Sequence, residues 1–209
     1  MRIVVVEDHR IVREAVRHAC TLESGWEVVC ETGSGRVAVE SILALRPDVV
    51  VLDVGLEEMD GFEVVEQIQP LLPDVRFLVF SGRLDDVTVL LVGQLGLHGF
   101  LDKLGIDLEQ IRAALLALAA GGTYFSECFQ TLRAQLLADP SSWARVLSSA
   151  ELRALAQIVR GLNDREVGQA LGISPRTVQT HRSNILRKLG LDGTPRLIAY
   201  AVRHGFSAA

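Results

Sequence analysis

The chain has 209 residues, 49% of them hydrophobic and 22% charged, with a formal net charge of −5. No apolar run approaches the ~18 residues a membrane span needs. Acidic residues at Glu7-Asp8 stand where a signal peptide would continue its apolar region, so neither export nor anchoring is expected and the cytoplasm is the expected compartment.

Strands are predicted over 2–6, 26–31, 48–53, 75–80 and 98–101, separated by helices over 10–22, 34–45, 60–71, 84–95 and 107–120. Pro47, Gly61, Pro73 and Gly96 punctuate these repeats. Short apolar runs alternating with amphipathic stretches read as βαβ units around a parallel sheet. Gly121-Gly122 ends the fifth helix, and a connector follows through Asp139-Pro140-Ser141-Ser142, with a short helix expected from Phe129 to Leu137. Beyond it four helices are predicted: 150–160, capped by Ser148 or Ser149 with Glu151 near its N-terminus; a short one from Asn163 or Asp164 to Leu171; one opened by Ser174-Pro175 and running to Leu189; and a last from Thr194-Pro195 to about His204. A short Gly-containing turn between the second and third makes a helix-turn-helix. The length suits two domains, of ~120 and ~60 residues.

Charge is divided unevenly between them. From residue 147 onward nine Lys/Arg stand against four Asp/Glu, leaving twelve against twenty-two before it. A basic module joined to an acidic one suggests that only the C-terminal part meets a polyanion, with DNA the leading candidate. Cys20, Cys30 and Cys128 are odd in number and lack C-x-x-C spacing, and small buried hydrophobes explain them best.

Four polar sites fall at or near the strand ends: Glu7-Asp8, Asp53, Ser81 and Lys103. In a parallel sheet all strands point one way, and ligands bind in the crevice outside their carboxyl ends. A carboxylate trio, a hydroxyl and an ammonium converging there make a phosphoryl-transfer site. Taken singly, an Asp ending a strand is as often a turn former or helix cap; the joint placement favours chemistry.

These residues carry a resemblance. Glu7-Asp8, Val50-Val51-Leu52-Asp53, Met59-Asp60-Gly61, Ser81-Gly82 and Gly99-Phe100-Leu101-Asp102-Lys103 resemble the receiver domain of bacterial response regulators. Leu147-Ser148, Glu151, Gly161-Leu162, Arg165-Glu166-Val167, Ile173-Ser174, Thr177-Val178, His181, Ile185 and Lys188-Leu189 resemble the LuxR-type helix-turn-helix, which together indicates the NarL/FixJ group. The resemblance implies a doubly wound α/β fold with a five-stranded parallel sheet of the flavodoxin-like receiver type, followed by an all-α four-helix LuxR-type domain. It implies a receiver over 1–121, a linker over 122–146 and a DNA-binding domain over 147–209.

It also assigns roles. Asp53 is the phosphorylated residue, and Mg²⁺, which prefers oxygen ligands, is held by Asp8, Asp53 and the backbone carbonyl of Gly55, with Glu7 acting largely through water. Lys103 pairs with the phosphoryl group and Ser81 donates to one of its oxygens. Phe100, three residues before Lys103, fills the space Ser81 vacates on switching. The partners implied are a sensor histidine kinase, a second copy of the chain on phosphorylation, promoter DNA with inverted half-sites, and RNA polymerase. Helices one and five, or four and five, offer the dimer surface, with Val87, Leu90, Leu91, Leu95 and Leu97 as its apolar residues unless they serve the core. The sequence departs from the family at Glu57-Glu58, where Pro is usual four residues after the acceptor, and at Arg10, where Pro is usual after His9.

In the C-terminal module the helix from Pro175 is the expected recognition helix. Its period places Val178, Ile185 and Leu189 inward and leaves Arg176, Thr177, Gln179, Thr180, Arg182, Ser183 and Arg187 outward. Gln179 suits adenine and Thr180 a thymine methyl, while Arg176, Arg182, Arg187 and Lys188 suit phosphates; His181 reads better as a partly buried packing residue. The family commonly has Lys at positions 179 and 183, so fewer cations face the groove here. The resulting reading is a two-component response regulator and transcription regulator rather than an enzyme. An atypical regulator controlled by ligand or protein contact is the alternative, kept open by Glu57. A phospho-aspartyl hydrolase is disfavoured because Gly55 stands where it needs a second Asp.

Overall fold

The computed structural model describes residues 1–56, 59–82, 84–104, 107–138 and 143–203. It divides into two compact units, Met1–Leu84 with Val92–Gln130, and Asp85–Leu91 with the residues from Thr131 on.

The first unit holds strands β1 Arg2–Val6, β2 Glu27–Thr32, β3 Val49–Leu52, β4 Arg76–Ser81, β5 Gly99–Asp102 and β6 Tyr124–Phe125. Every neighbouring pair is parallel, in the order β2-β1-β3-β4-β5-β6. The helices between these strands are α1 Arg10–Thr21, α2 Gly35–Leu45, α3 Gly61–Ile68, α4 Asp86–Gln94, whose residues up to Leu91 count with the second unit, and α5 Leu108–Ala119. Helices α1 and α5 pack together, as do α2 and α3. Strands buried on both faces read as unbroken apolar runs, and Val49–Leu52 are all buried. Ile3, Val5, Val49, Val51, Leu78, Phe80 and Leu101 join Val16, Ile111, Leu115 and Leu118 in one core cluster.

The sheet has a sixth strand where the sequence predicts five. Tyr124 and Phe125 follow the two glycines and add to β5, with the Tyr124 N–H donating to the His98 carbonyl (3.0 Å) and the Ser126 N–H to that of Phe100 (3.0 Å). Two residues are too few to show an alternating pattern.

Strand order also locates the crevice. Because β1 is flanked by β2 and β3, the chain reverses its winding direction between β1 and β3, and ligands bind outside the strand ends at such a switch point. The residues following β1 are Glu7 and Asp8, and the residue following β3 is Asp53. Behind Asp53 the chain turns into α3, capped by the Asp60 side chain on the Phe62 N–H. A Cβ at Gly61 would lie 2.3 Å from the Asp53 carbonyl oxygen and 2.8 Å from the Val54 Cα, so only glycine allows α3 to start this close.

The connector carries α6 Glu127–Ala138, longer than the predicted helix, and then α7 Trp143–Val146, a single turn with no periodicity to announce it. In the second unit follow α8 Ser149–Val159, α9 Asp164–Ala170, α10 Pro175–Leu189 and α11 Thr194–Arg203. Ser148 and Asn163 form capping boxes with Glu151 and Glu166, and Ser174 caps α10 ahead of Pro175. A Cβ at Gly168 would meet the Ile173 carbonyl oxygen at 2.7 Å, which is what makes the turn between α9 and α10 so tight. Leu152, Leu155, Ile158, Val167, Val178, Ile185, Leu197 and Ala201 are buried, whereas Leu189 is only half-buried. Among the cysteines Cys20 is buried, its thiol pushed up to about 11, but Cys30 is half-buried and Cys128 exposed, so the buried reading holds for one of three.

At the base of β5, His98 Nδ1 accepts the Phe77 N–H (3.2 Å), and burial, with the nearby Arg76 charge, holds the imidazole below its ordinary pKa. The folded chain thus resists a proton that the unfolded chain accepts near pH ~6.5. Stability from this group is full above that pH and declines on acidification until the folded imidazole titrates. His98→Asn, which keeps an acceptor in place, should flatten this part of the slope in urea denaturation between pH 7 and 5.5.

Candidate functional site

The ends of β1, β3 and β5 meet through one ammonium. Lys103 Nζ lies 2.7 Å from Asp53 Oδ2 and 2.6 Å from Glu7 Oε2, and the backbone carries it there, since the Lys103 N–H donates to the Ser81 carbonyl at 3.0 Å. Glu7 and Asp53 are buried at 1% and 5% exposure, deep enough for each charge to need a counter-charge. Burial pushes the Glu7 carboxyl up, and the Lys103 ammonium and the His9 N–H offset that only in part. Burial would lower Lys103, but hydrogen bonds to Asp53 and Glu7 overcome it and hold the ammonium above its ordinary value. Asp53 Oδ1 accepts the Gly55 N–H at 3.0 Å, which fixes the rotamer and brings Gly55 to the site.

Ser81 is buried at the end of β4, level with Asp102 of β5. Phe100 is buried three residues before Lys103. Glu7, Asp8, His9 and Asp53 offer ligand atoms that all lie within 4.8 Å of one another. Three of the four are carboxylates, and with a backbone loop beside them those three match the oxygen preference of a hard divalent cation. His9, not among the expected site residues, has its Nδ1 3.1 Å from Glu7 Oε1 and 2.5 Å from Asp8 Oδ1. Those two carboxylates raise its pKa; the signal was its position directly after the acidic pair. Glu57 and Glu58 lie outside the described residues.

In the second unit, Arg176, Thr177, Gln179, Thr180, Ser183, Arg187 and Lys188 of α10 are exposed, and His181 is half-buried. Arg176, Gln179, Thr180, Ser183 and Asn184 line one shallow depression; Asn184, one turn after Thr180, was not among the predicted residues. Two of the four cations assigned to phosphates are engaged inside the unit instead. The Arg182 guanidinium donates to Asp164 Oδ1 (2.6 and 3.1 Å) and to Thr194 Oγ1 (3.2 Å), joining α10 to the first residues of α9 and α11. Lys188 Nζ lies 2.7 Å from Glu151 Oε2. Burial raises Glu151, but Lys188 and the Ser148 donors outweigh it and hold the carboxyl below its usual range. Arg176 and Arg187 remain on the outer face, Arg187 donating to Asn184 Oδ1 at 3.2 Å.

Comparison with known proteins follows the same division. The family described as response regulator receiver domain matches residues 3–116, and that of bacterial regulatory proteins, luxR family, matches residues 145–201. The chain is 27% identical to the transcriptional regulatory protein DegU of Brevibacillus brevis, over 99% of this chain and 94% of the relative. It is 28% identical to the response regulator protein VraR of Staphylococcus aureus, over 98% of this chain and 97% of the relative. The structure of RcsB from Salmonella enterica serovar Typhimurium, bound to promoter rprA in the presence of the phosphomimetic BeF3−, matches with a TM-score of 0.75 at 21% identity, covering 96% of this chain and 97% of that one. At that identity the likeness establishes the fold.

Removing the ammonium tests the electrostatics directly. Lys103→Met leaves two buried carboxylates facing each other and should cost about 3 kcal/mol at pH 7. The loss should shrink toward pH 4.5 as Glu7, already pushed up by burial, takes up a proton, read by urea denaturation at both pH values.

Proposed function

Because the chain belongs to the response regulators, joining a receiver domain to a LuxR-type DNA-binding module, we propose that Asp53 accepts a phosphoryl group from a sensor histidine kinase and that the phosphorylated chain pairs and binds promoters. The observation that carries this reading is the Lys103 ammonium within 2.7 Å of both Asp53 and Glu7, at the switch point of the sheet. We assign residues 1–121 to the receiver, 122–146 to the linker and 147–209 to the DNA-binding domain, and place the protein in the cytoplasm. Among the described residues no helix is long and apolar enough to cross a membrane.

In the transfer a carboxylate oxygen of Asp53 bonds to phosphorus as the donor's P–N bond breaks, its electron pair staying on the imidazole nitrogen. A carboxylate approaching an anionic phosphoryl group meets repulsion, so catalysis consists of positioning and charge neutralisation. The Gly55 N–H holds Asp53 Oδ1, which sets the direction of attack. Lys103 already sits on Oδ2 and pairs with a phosphoryl oxygen, and the Ser81 hydroxyl donates to another. Glu7, Asp8, Asp53 and the Gly55 carbonyl would hold Mg²⁺, which when bound supplies further neutralisation at the phosphoryl oxygens.

On DNA, α10 enters the major groove. Gln179, Thr180 and Ser183 face base edges with Thr177 near them, and Arg176 and Arg187 take the phosphates. Two modules read inverted half-sites about one helical turn apart, and RNA polymerase is the partner that a promoter-bound regulator meets. The RcsB structure, with promoter DNA and BeF3−, supports pairing this fold with that chemistry.

Small-molecule phosphodonors with Mg²⁺ should shift the chain on a phosphate-affinity gel, and Asp53→Asn should abolish the shift; modification that survives the substitution excludes Asp53 as acceptor. DNA binding measured across salt separates the cations. Arg176→Ala and Arg187→Ala should each lower the salt slope by about 1. Arg182→Ala should weaken binding at every salt concentration and leave the slope unchanged, because its guanidinium is spent on Asp164 and Thr194.

A further inference from the structure

The first unit contains an aromatic column that phosphoryl chemistry does not require. The Phe100 ring stacks on Phe129 with centroids 4.9 Å apart and planes at 27°, and Phe129 stacks on Phe125 at 5.0 Å and 19°. Phe100 and Phe129 are both fully buried. The backbone repeats the connection: Phe100 is level with Phe125 across β5 and β6, and its carbonyl accepts the Ser126 N–H at 3.0 Å. Ser126 in turn accepts the Gln130 N–H at 3.0 Å, while the Gln130 side-chain amide donates to the Phe125 carbonyl at 2.6 Å. The first turn of α6 is therefore attached to β5 by two stacked rings and a short hydrogen-bonded chain, three residues from Lys103.

We infer that Phe129 is a further switch residue of this protein, acting through Phe100 so that a change at Asp53 and Lys103 repositions the start of α6, the segment that leads to the DNA-binding module. The inference rests on the proposed phosphorylation of Asp53. Offset stacking tolerates a narrow range of ring separations, and in a close-packed interior a shift of Phe100 into the space Ser81 vacates leaves a gap against Phe129 unless that ring follows. A displaced Phe100 ring either carries Phe129 with it or breaks the stack, and both outcomes alter the first turn of α6. A residue that only fills the core would be replaceable by another of similar volume; a ring in the column would not.

The test is amide hydrogen exchange of residues 127–138 in the full chain, with and without beryllofluoride and Mg²⁺. Fluorine NMR of the bound mimic reports occupancy at Asp53. The unsubstituted chain should change exchange in α6 by about fivefold or more on binding the mimic, within the range of coupling between linked sites. Phe129→Leu, which keeps most of the volume and should remain folded, should bind the mimic within about twofold of the unsubstituted chain and lose the α6 response. Phe125→Tyr, which keeps a ring at a half-buried position, should retain it. An undiminished response in Phe129→Leu, or no α6 response in the unsubstituted chain with the mimic bound, overturns the inference. If the unsubstituted chain takes up no mimic, the phosphorylation reading fails, and this inference fails with it.

Discussion

One ammonium decides the arrangement of the first unit. Lys103 Nζ neutralises Asp53 and Glu7 together, and to do so it must bring the end of β5 to the ends of β3 and β1 across the intervening β4. The sheet order makes this span short, and the backbone bond from Lys103 to Ser81 fixes it. Two buried carboxylates this close would otherwise repel. A phosphoryl group on Asp53 adds about −1.5 to −2 charge to a place where a single cation already serves two anions. The proposed phosphorylation would have to redistribute that contact, and the strand that leads to Lys103 also carries Phe100.

The second unit spends its charges differently. Helix ends there are capped by Ser148, Asn163 and Ser174, and the Glu151 of the first capping box is also the partner of Lys188. Arg182 ties α10 to α9 and α11. Both cations are engaged within the unit, and the outer face of α10 keeps Arg176 and Arg187 among neutral polar residues. Phosphate contacts give affinity without sequence information, whereas base contacts discriminate. Under the proposed DNA binding, a face with only Arg176 and Arg187 around Gln179, Thr180, Ser183 and Asn184 would be weighted toward discrimination and would lean on pairing of two modules for affinity.

Much of this was legible in the sequence. Strands β1, β3, β4 and β5 stood out because strands buried on both faces read as apolar runs, and the helix starts of the second unit because Ser148, Asn163 and Ser174-Pro175 are local capping signals. The site was legible for a related reason: in a parallel sheet every strand end lies on one side, so Glu7, Asp8, Asp53, Ser81 and Lys103 had to converge once the strands were assigned. What escaped was non-local or very short. Strand β6 has two residues and α7 a single turn. The bond from Arg182 to Asp164 joins residues eighteen apart on different helices, and periodicity, which reports only which face a residue occupies, placed Arg182 outward. His9 and Asn184 were passed over because neither position repeats a pattern.

The two halves of the site also differ in what can move. Asp53 is mounted on a strand paired on both sides, Val49–Leu52 aligning with Ile3–Val6 on one flank and with four residues of β4 on the other. Behind it Gly61 brings α3 so close that even a methyl group would collide with the Asp53 carbonyl. Strand β5 is paired over four residues with β4 but over only two with β6 on its outer side. Under the proposed phosphorylation, a redistribution of the Lys103 contact would be resisted at Asp53, on a strand paired on both sides, more than at the thinly paired outer edge of the sheet. That edge is where Phe125, Ser126 and Phe129 are attached, at the start of the chain that leads to α10.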